Sequence, residues 1–289
     1  MDFSWSPDVR LRIERTRQCA AEQLAPLPQS VGFDQAAWNV LAALDLFRIA
    51  LPTSWGGENC GALVTIAVLE ALGRGGADRG LLFAAGAHLF GCAVPVAAYG
   101  SARHAETWSK ALSTGAVIGA LAVTEAAGGS SLDLLTTEAV KTPDGYVLAG
   151  EKTLVANAPV AGIFLVLARQ YPDRGPLGLT AFLVPRDTPG LTVNPITSGI
   201  GLPGAPLGSL RFADCFLPHD AVIGSPGAGL RIFATAMQWE RTCLLAGFLG
   251  AAERDLRVGE VSSAIGRTAG CLPPHRPERA ELPHSVPQT

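Results

Sequence analysis

Leu121-Ala-Val-Thr-Glu-Ala-Ala-Gly-Gly-Ser-Ser-Leu-Asp133 is the stretch on which the reading of this chain turns. It runs apolar, then acidic, then into a glycine-serine turn with no lysine or arginine to meet a phosphate. Such a turn presents main-chain N–H groups to an acceptor, and its small residues let a bound group approach the backbone. Taken alone, it also reads as a strand followed by a loop with a capping serine. It stands where helical periodicity gives way to short strands, so it sets the fold class as well as a candidate site.

From Asp8 to about Gly119 the pattern is helical. Val9-Arg-Leu-Arg-Ile-Glu-Arg15 opens an amphipathic segment, and Asp34 stands where a helix cap belongs, ahead of the apolar run Val40 to Leu46. Pro52-Thr-Ser-Trp-Gly-Gly57 forms a turn, Leu63 to Leu72 returns to helical spacing, and Gly73 to Gly80 breaks it again. From Leu121 to about Gly224, apolar runs of strand length (Tyr146–Ala149, Ile163–Ala168, Thr180–Val184, Ser209–Phe212) alternate with the turns Pro143-Asp-Gly145, Pro172-Asp-Arg-Gly175 and Thr188-Pro-Gly190. This spacing predicts an antiparallel barrel or sandwich rather than strand-helix-strand units. After Gly229 helical spacing resumes from Leu230 to Arg257, about 28 residues or roughly 42 Å if continuous. Its apolar stripe of Leu230, Phe233, Ala234, Met237 and Leu244 would invite aggregation or a partner if left uncovered. The fold class is α+β: a helical domain over 1–119, a β-domain over 120–228, a further helical segment over 229–257, and an irregular tail over 258–289.

With 289 residues, 48% hydrophobic, 16% charged and a net charge of −3, the chain reads as a soluble globular protein, and nothing basic points toward nucleic acid. Its six cysteines include no Cys-x-x-Cys pair, no His, Cys or carboxylate cluster has metal-ligand spacing, and a reduced cytoplasmic setting fits best. Met1-Asp2 lacks the start of a secretory signal. The apolar run Leu81 to Ala98 is about long enough to cross a bilayer, but it carries His88, Pro95 and two glycines and reads as a buried helix. Gly199-Ile-Gly-Leu-Pro-Gly204 spells a dinucleotide motif, yet Pro203 interrupts it and it reads as a β-domain loop. His88 and His104, lone histidines in helical segments, read as structural.

Six motifs occur in one order: Ala50-Leu-Pro-Thr-Ser-Trp-Gly-Gly57; Ala122-Val-Thr-Glu125 with Gly129-Ser130; Gly150-Glu-Lys152 with Asn157; Phe182-Leu-Val-Pro185; Gly224 with Gly227-Ala-Gly229; and Trp239-Glu-Arg241. Over about residues 10 to 257 the chain thereby resembles the acyl-CoA dehydrogenase flavoprotein family. The resemblance implies a helical domain, a β-domain, a C-terminal helical bundle, bound FAD, and removal of hydrogens from Cα and Cβ of an acyl thioester, on CoA or on a carrier protein. It also implies an electron-acceptor flavoprotein or oxygen as reoxidant, and a homo- or hetero-oligomer once the bundle is supplied. The charge balance and the reading of 81–98 as a buried helix lead to the expectation of no nucleic acid and no membrane span.

Carried over residue by residue, the resemblance places Val123, Thr124, Gly129 and Ser130 along the flavin. Ser131 stands for the family's aspartate after Gly-Ser, and Thr136 for an arginine near the loop's end. Leu154 replaces the aromatic ring that walls the flavin, and Ala156 lacks the hydroxyl that meets flavin N5. One lost hydrogen bond is worth about 0.5–1.5 kcal/mol, so these changes weaken FAD binding and retune it rather than forbid it. Glu240-Arg241 matches the arrangement in which the base that takes the α-proton sits on the bundle's first helix, directly before an arginine. Glu240 is then the candidate base and Arg241 its neighbour; the plainer reading is a surface pair whose adjacent residues do not face each other.

Read one base later, permitted codons for Ile265 to Pro277 yield Leu-Gly-Glu-Leu-Gln-Ala-Val-Ser-His-Arg-Ile-Ala, close to the family's next helix; a frame slip between about Leu256 and Ile265 is therefore expected. Two functional readings follow: an acyl-thioester dehydrogenase represented by its first two domains and one helix, and a non-catalytic remnant that binds flavin or a partner. On either, the chain alone is expected to bind FAD poorly.

Overall fold

The computed structural model describes residues 4–27, 32–196 and 201–268, with side chains through 257. Two compact units divide the chain, Met1–Arg254 and Asp255–Thr289, and only the end of the last helix is described in the second.

Helices begin where the sequence supplies caps. α1 (Pro7–Cys19) follows Ser6, whose hydroxyl accepts from the Val9 N–H, with Pro7 at the first helical position. α2 (Gln35–Ala43) starts at Asp34 as the sequence predicts, its carboxylate accepting from the Ala37 N–H at 3.0 Å. α3 (Gly61–Gly75) follows the Pro52 turn. α4 (Arg79–Gly86), a π-helical stretch Ala87–Ala93 and α5 (Val94–Tyr99) form one rod with a mean hydropathy of 1.8 over its most apolar window, 89% of which is buried. The apolar run is therefore the centre of the helical core. Pro95 lacks an N–H for the Gly91 carbonyl and its ring would press on it, and the wider π turn just before Pro95 accommodates this.

α6 (Ala102–Ser113) opens with a reciprocal cap in which His104 Nδ1 accepts from the Ser101 N–H at 3.0 Å. His88, fully buried, links α6 to the sheet: its Nε2 bonds the Leu112 carbonyl at 3.1 Å and its Nδ1 accepts from the Gly119 N–H at 2.9 Å. Both histidines thus serve the scaffold.

Among the described residues eight strands form one sheet: β1 (Gly119–Ala122), β2 (Glu138–Lys141), β3 (Gly145–Ala156), β4 (Ile163–Arg169), β5 (Leu179–Pro185), β6 (Leu191–Ile196), β7 (Leu207–Pro218) and β8 (Val222–Ile223). Their order is β6-β7-β3-β2-β4-β5-β8, with β1 added on β4. Most neighbours are antiparallel, as predicted; β1 and β2 each meet β4 in parallel. β4 and β5 are apolar at successive positions because both faces are covered. Ile163, Leu165, Leu167, Ala181 and Leu183 join the helical core, while Phe164, Val166, Phe182 and Val184 pack inside the sheet against Tyr146, Leu148, Leu210 and Phe212.

Where the sequence suggests one helix from 229 to 257, the chain makes two, α7 (Gly229–Cys243) and α8 (Ala246–Thr268), separated by a turn at 244–245. α8 continues past Arg257 to Thr268, so the irregular segment does not start at 258; no proline interrupts the sequence before Pro273. The residues from 269, including most of the proposed out-of-frame stretch, lie outside those described. Glycines let α8 lie against α3 almost backbone to backbone: a Cβ on Gly73 would fall 2.0 Å from the Gly247 carbonyl oxygen, and one on Gly250 2.0 Å from that of Glu70. Of Gly199–Gly204, residues 199 and 200 lie outside the described residues, and the rest forms no regular element.

Candidate active site

A cavity of about 620 Å³ opens where the helical rod, the sheet and α7 meet. Its walls come from four directions: Phe83 and Ala87 on the rod; Leu121, Val123 and Thr124 on and after β1, with Gly129 and Ser130 from the following loop; Thr153 to Ala156 on β3; and Phe233, Met237, Glu240 and Arg241 on α7 with Leu244 just past its end. All eight residues singled out in the sequence, Val123, Thr124, Gly129, Ser130, Leu154, Ala156, Glu240 and Arg241, line this one space. The apolar stripe of the last helical run is partly spent here, with Phe233, Met237 and Leu244 facing the cavity.

Each wall has a local cause. β3 and β7 lose register between Lys152 and Val155, and within this bulge Leu154 takes a left-handed conformation, φ +53°. The bulge turns Leu154 toward the cavity, where it is 59% exposed although strongly apolar. In the loop, the Gly129 and Ser130 N–H groups and the Thr124 and Ser130 hydroxyls have no hydrogen-bond partner among the described residues. Gly129 lies against Thr124 so closely that a Cβ there would stand 2.9 Å from Thr124 Cγ2. A set of free donors beside an apolar wall suits a flat, acceptor-rich ligand.

Glu240 is set by its neighbours. Trp239 stacks on Phe90 with ring centroids 5.9 Å apart, which locks α7 on the π-helical stretch, and the Glu240 carboxylate settles over Gly91, where a Cβ would stand 3.1 Å from Oε1. No hydrogen bond or ion pair meets that carboxylate among the described residues, and it does not bond Arg241. Burial without compensation pushes its pKa up to about 7.

Behind the loop lies a network whose role sequence reasoning missed. Lys152 Nζ donates to Glu125 Oε1 at 2.7 Å and to the Val123 carbonyl at 3.0 Å, with both side chains out of solvent. Burial alone would raise the Glu125 carboxyl, but the hydrogen bond and charge of Lys152 and the Thr136 donors overcome it and hold the pKa at about 2. Both residues stand in motifs quoted above; their spacing of 27 positions gave no sign that they pair. Asn157, directly after β3, donates to the Ala84 carbonyl at 2.8 Å and so fastens the rod to the strand that carries Leu154 and Ala156.

Comparison with known proteins accords with this geometry. Residues 6–116 match the acyl-CoA dehydrogenase N-terminal domain and residues 120–215 the acyl-CoA dehydrogenase middle domain. The chain is 36% identical to an L-prolyl-[peptidyl-carrier protein] dehydrogenase of Pseudomonas fluorescens, over 89% of its own length and 68% of that protein. It is 38% identical to the enzyme of the same name from Serratia sp., over 75% of its own length and 56% of the relative. The solved structure of PigA with FAD and proline superposes with a TM-score of 0.86 at 34% identity, covering 89% of this chain and 68% of that one. The chain therefore spans between about half and two thirds of the length of these relatives.

Proposed function

The chain belongs to the acyl-CoA dehydrogenase family, and on that premise we propose that it binds FAD and oxidises the Cα–Cβ bond of an acyl thioester, with Glu240 as the base. The single observation that carries this reading is the convergence, in one cavity, of a carboxylate on α7 and a loop of N–H and hydroxyl donors, none of which has a partner among the described residues.

FAD, when bound, supplies the acceptor for the β-hydrogen as hydride. The chain's own residues divide the remaining work. Thr124, Gly129 and Ser130 offer hydrogen bonds to the acceptor oxygens of the cofactor, Val123 lies beside them, and Leu154 with Ala156 forms the apolar wall. These residues fit the group, although Ala156 brings no hydroxyl to it. Glu240 takes the α-proton, and a carboxyl poised near neutrality is well matched to that task. Arg241 lines the same space beside it and offers a positive charge to the substrate side.

The substrate we favour is an aminoacyl thioester on a carrier protein, prolyl first among them, because two relatives at 36% and 38% identity carry that activity in their names. Reoxidation by an electron-transfer flavoprotein or by dioxygen, and assembly into an oligomer, complete the proposal. The test is anaerobic addition of L-prolyl-carrier protein, or of a short acyl-CoA, to the FAD-loaded protein while absorbance at about 450 nm is followed. Bleaching by the carrier-bound thioester supports the reading in full; bleaching by the CoA ester alone moves the substrate to CoA. A protein that stays colourless after incubation with FAD would overturn the flavin assignment.

A further inference from the structure

We propose that Glu125 is the clasp of the cavity loop, with Lys152 as its counter-ion and Thr136 and Thr137 as the donors that close it. None of the four lines the cavity, so they act as positioning residues for Thr124, Gly129 and Ser130. The proposal rests on the flavin reading for its consequence in binding but not for its geometry.

The geometry is a loop tied at both ends to one carboxylate. Glu125 sits where the chain leaves β1, and the chain comes back at Thr136 and Thr137, just before β2. Oε2 accepts from the Thr136 N–H at 2.6 Å and from the Thr136 hydroxyl at 2.7 Å. Oε1 accepts from the Thr137 N–H at 3.0 Å and from Lys152 Nζ at 2.7 Å. Residues 11 and 12 positions along the chain thus converge on a single side chain. Lys152 also holds the Val123 carbonyl, and the Thr153 N–H donates to the Thr124 carbonyl at 2.8 Å, so the stem of the loop is tied to β3 as well. Inside the loop, Glu125 and Gly128 exchange backbone bonds in both directions.

The side chains of Lys152 and Glu125 are 0% and 4% exposed. Opening the loop would strip the carboxylate of three donors at once and leave two charges facing each other without their supporting bonds, which the interior tolerates poorly. The ordinary use of such a pair is to fix one arrangement rather than to add stability, and the arrangement fixed here is the donor set of the cavity. Thr136 is telling: where the family resemblance leads one to expect arginine, this chain has a short hydroxyl that bonds the clasp directly.

The test is the paired substitution E125Q/K152M, which removes both charges and keeps the volumes close. A buried ion pair replaced by a neutral pair leaves stability near its starting value, so a melting temperature within about 5 °C of the parent is expected. Amide hydrogen exchange over 126–135 should accelerate at least about tenfold, while exchange in β4 and β5 is unchanged, and the FAD dissociation constant should rise at least about tenfold. A folded variant with parent-like loop exchange and FAD affinity overturns the clasp. If the pair fails to fold, T136V, at an exposed position, removes one bond to Oε2; loop exchange about threefold faster supports the proposal and unchanged exchange overturns it. If the parent does not bind FAD, the flavin reading falls, and the exchange measurement on the unloaded protein still decides whether Glu125 holds the loop.

Discussion

Replacing Glu240 by glutamine should make the protein more stable at alkaline pH and leave it almost unchanged at acid pH. Glu240 has no partner among the described residues and burial holds its carboxyl at about 7 against an ordinary 4.5, which corresponds to about 3 kcal/mol between its two protonation states. The sign follows from which state ionises first. Below pH 4.5 the carboxyl is protonated whether the chain is folded or not, and it costs nothing. As pH rises, the unfolded chain releases the proton first and gains on the folded one, until the full penalty is reached above about pH 7. Because the side chain is only partly buried, about 2 kcal/mol is expected between pH 5 and pH 8. Glutamine has nearly the same shape and no proton to lose. Urea unfolding of parent and E240Q at these two pH values isolates the effect, since every other titrating group is common to both. Near-coincident curves at the lower pH and a gain of about 2 kcal/mol for the variant at the higher are the expected result. An equal gap at both would mean that the carboxylate is solvated, and a solvated carboxylate near its ordinary pKa is a poor base for an α-proton.

Three further outcomes follow from the same structure. His88 is buried neutral with its pKa lowered to about 4 by burial, so stability present above its ordinary 6.5 is lost as pH falls toward 4, by about 3 kcal/mol; thermal melts of parent and His88→Gln across this range should diverge in slope, and parallel curves would contradict the assignment. Gly73→Ala places a methyl group against the Gly247 carbonyl and should cost about 2–3 kcal/mol, read as a lowered melting temperature; an unshifted melt would mean that α3 and α8 do not meet as described. Leu154→Gly relieves a left-handed leucine that packs little, so the unloaded chain should gain about 0.5–1 kcal/mol in urea unfolding while FAD affinity drops; tighter FAD binding by the variant would remove Leu154 from the flavin wall.

Much of the scaffold was legible because its signals are local. Asp34 caps α2 on chemistry that needs no tertiary context, and the runs at Ile163 and Thr180 declare buried strands by length and branching. What escaped depends on partners far along the chain. β6 (Leu191–Ile196) escaped because it contains Pro195, which argues against a strand, and lies half-exposed at the sheet's edge. The parallel placement of β1 on β4 has no counterpart in either segment's pattern, since it is set by how the rod and His88 hold Gly119. The residues of the site were legible through motif order, whereas Phe83, Ala87 and Gly91 became visible only once α7 was laid over the rod: nothing in an apolar helix announces which face a distant carboxylate will occupy.

The departures from the family pattern look independent in sequence, but Thr136 and Leu154 lie on two sides of one ion pair. Thr136 bonds Glu125, Glu125 bonds Lys152, and Lys152 stands at the start of the bulge that presents Leu154. Thr136, where the resemblance leads one to expect arginine, holds the loop by its own bonds to Glu125, and the loss of a ring at 154 leaves the bulge that would aim it intact. Ala156 is the departure that, on the resemblance, takes away a hydroxyl at the flavin. Restoring it by Ala156→Thr should strengthen FAD binding by about 0.5–1.5 kcal/mol, up to roughly tenfold in dissociation constant by flavin fluorescence titration. A gain of that size would show that the loop and bulge already hold their geometry; no gain would mean that this part of the wall does not reach the flavin edge.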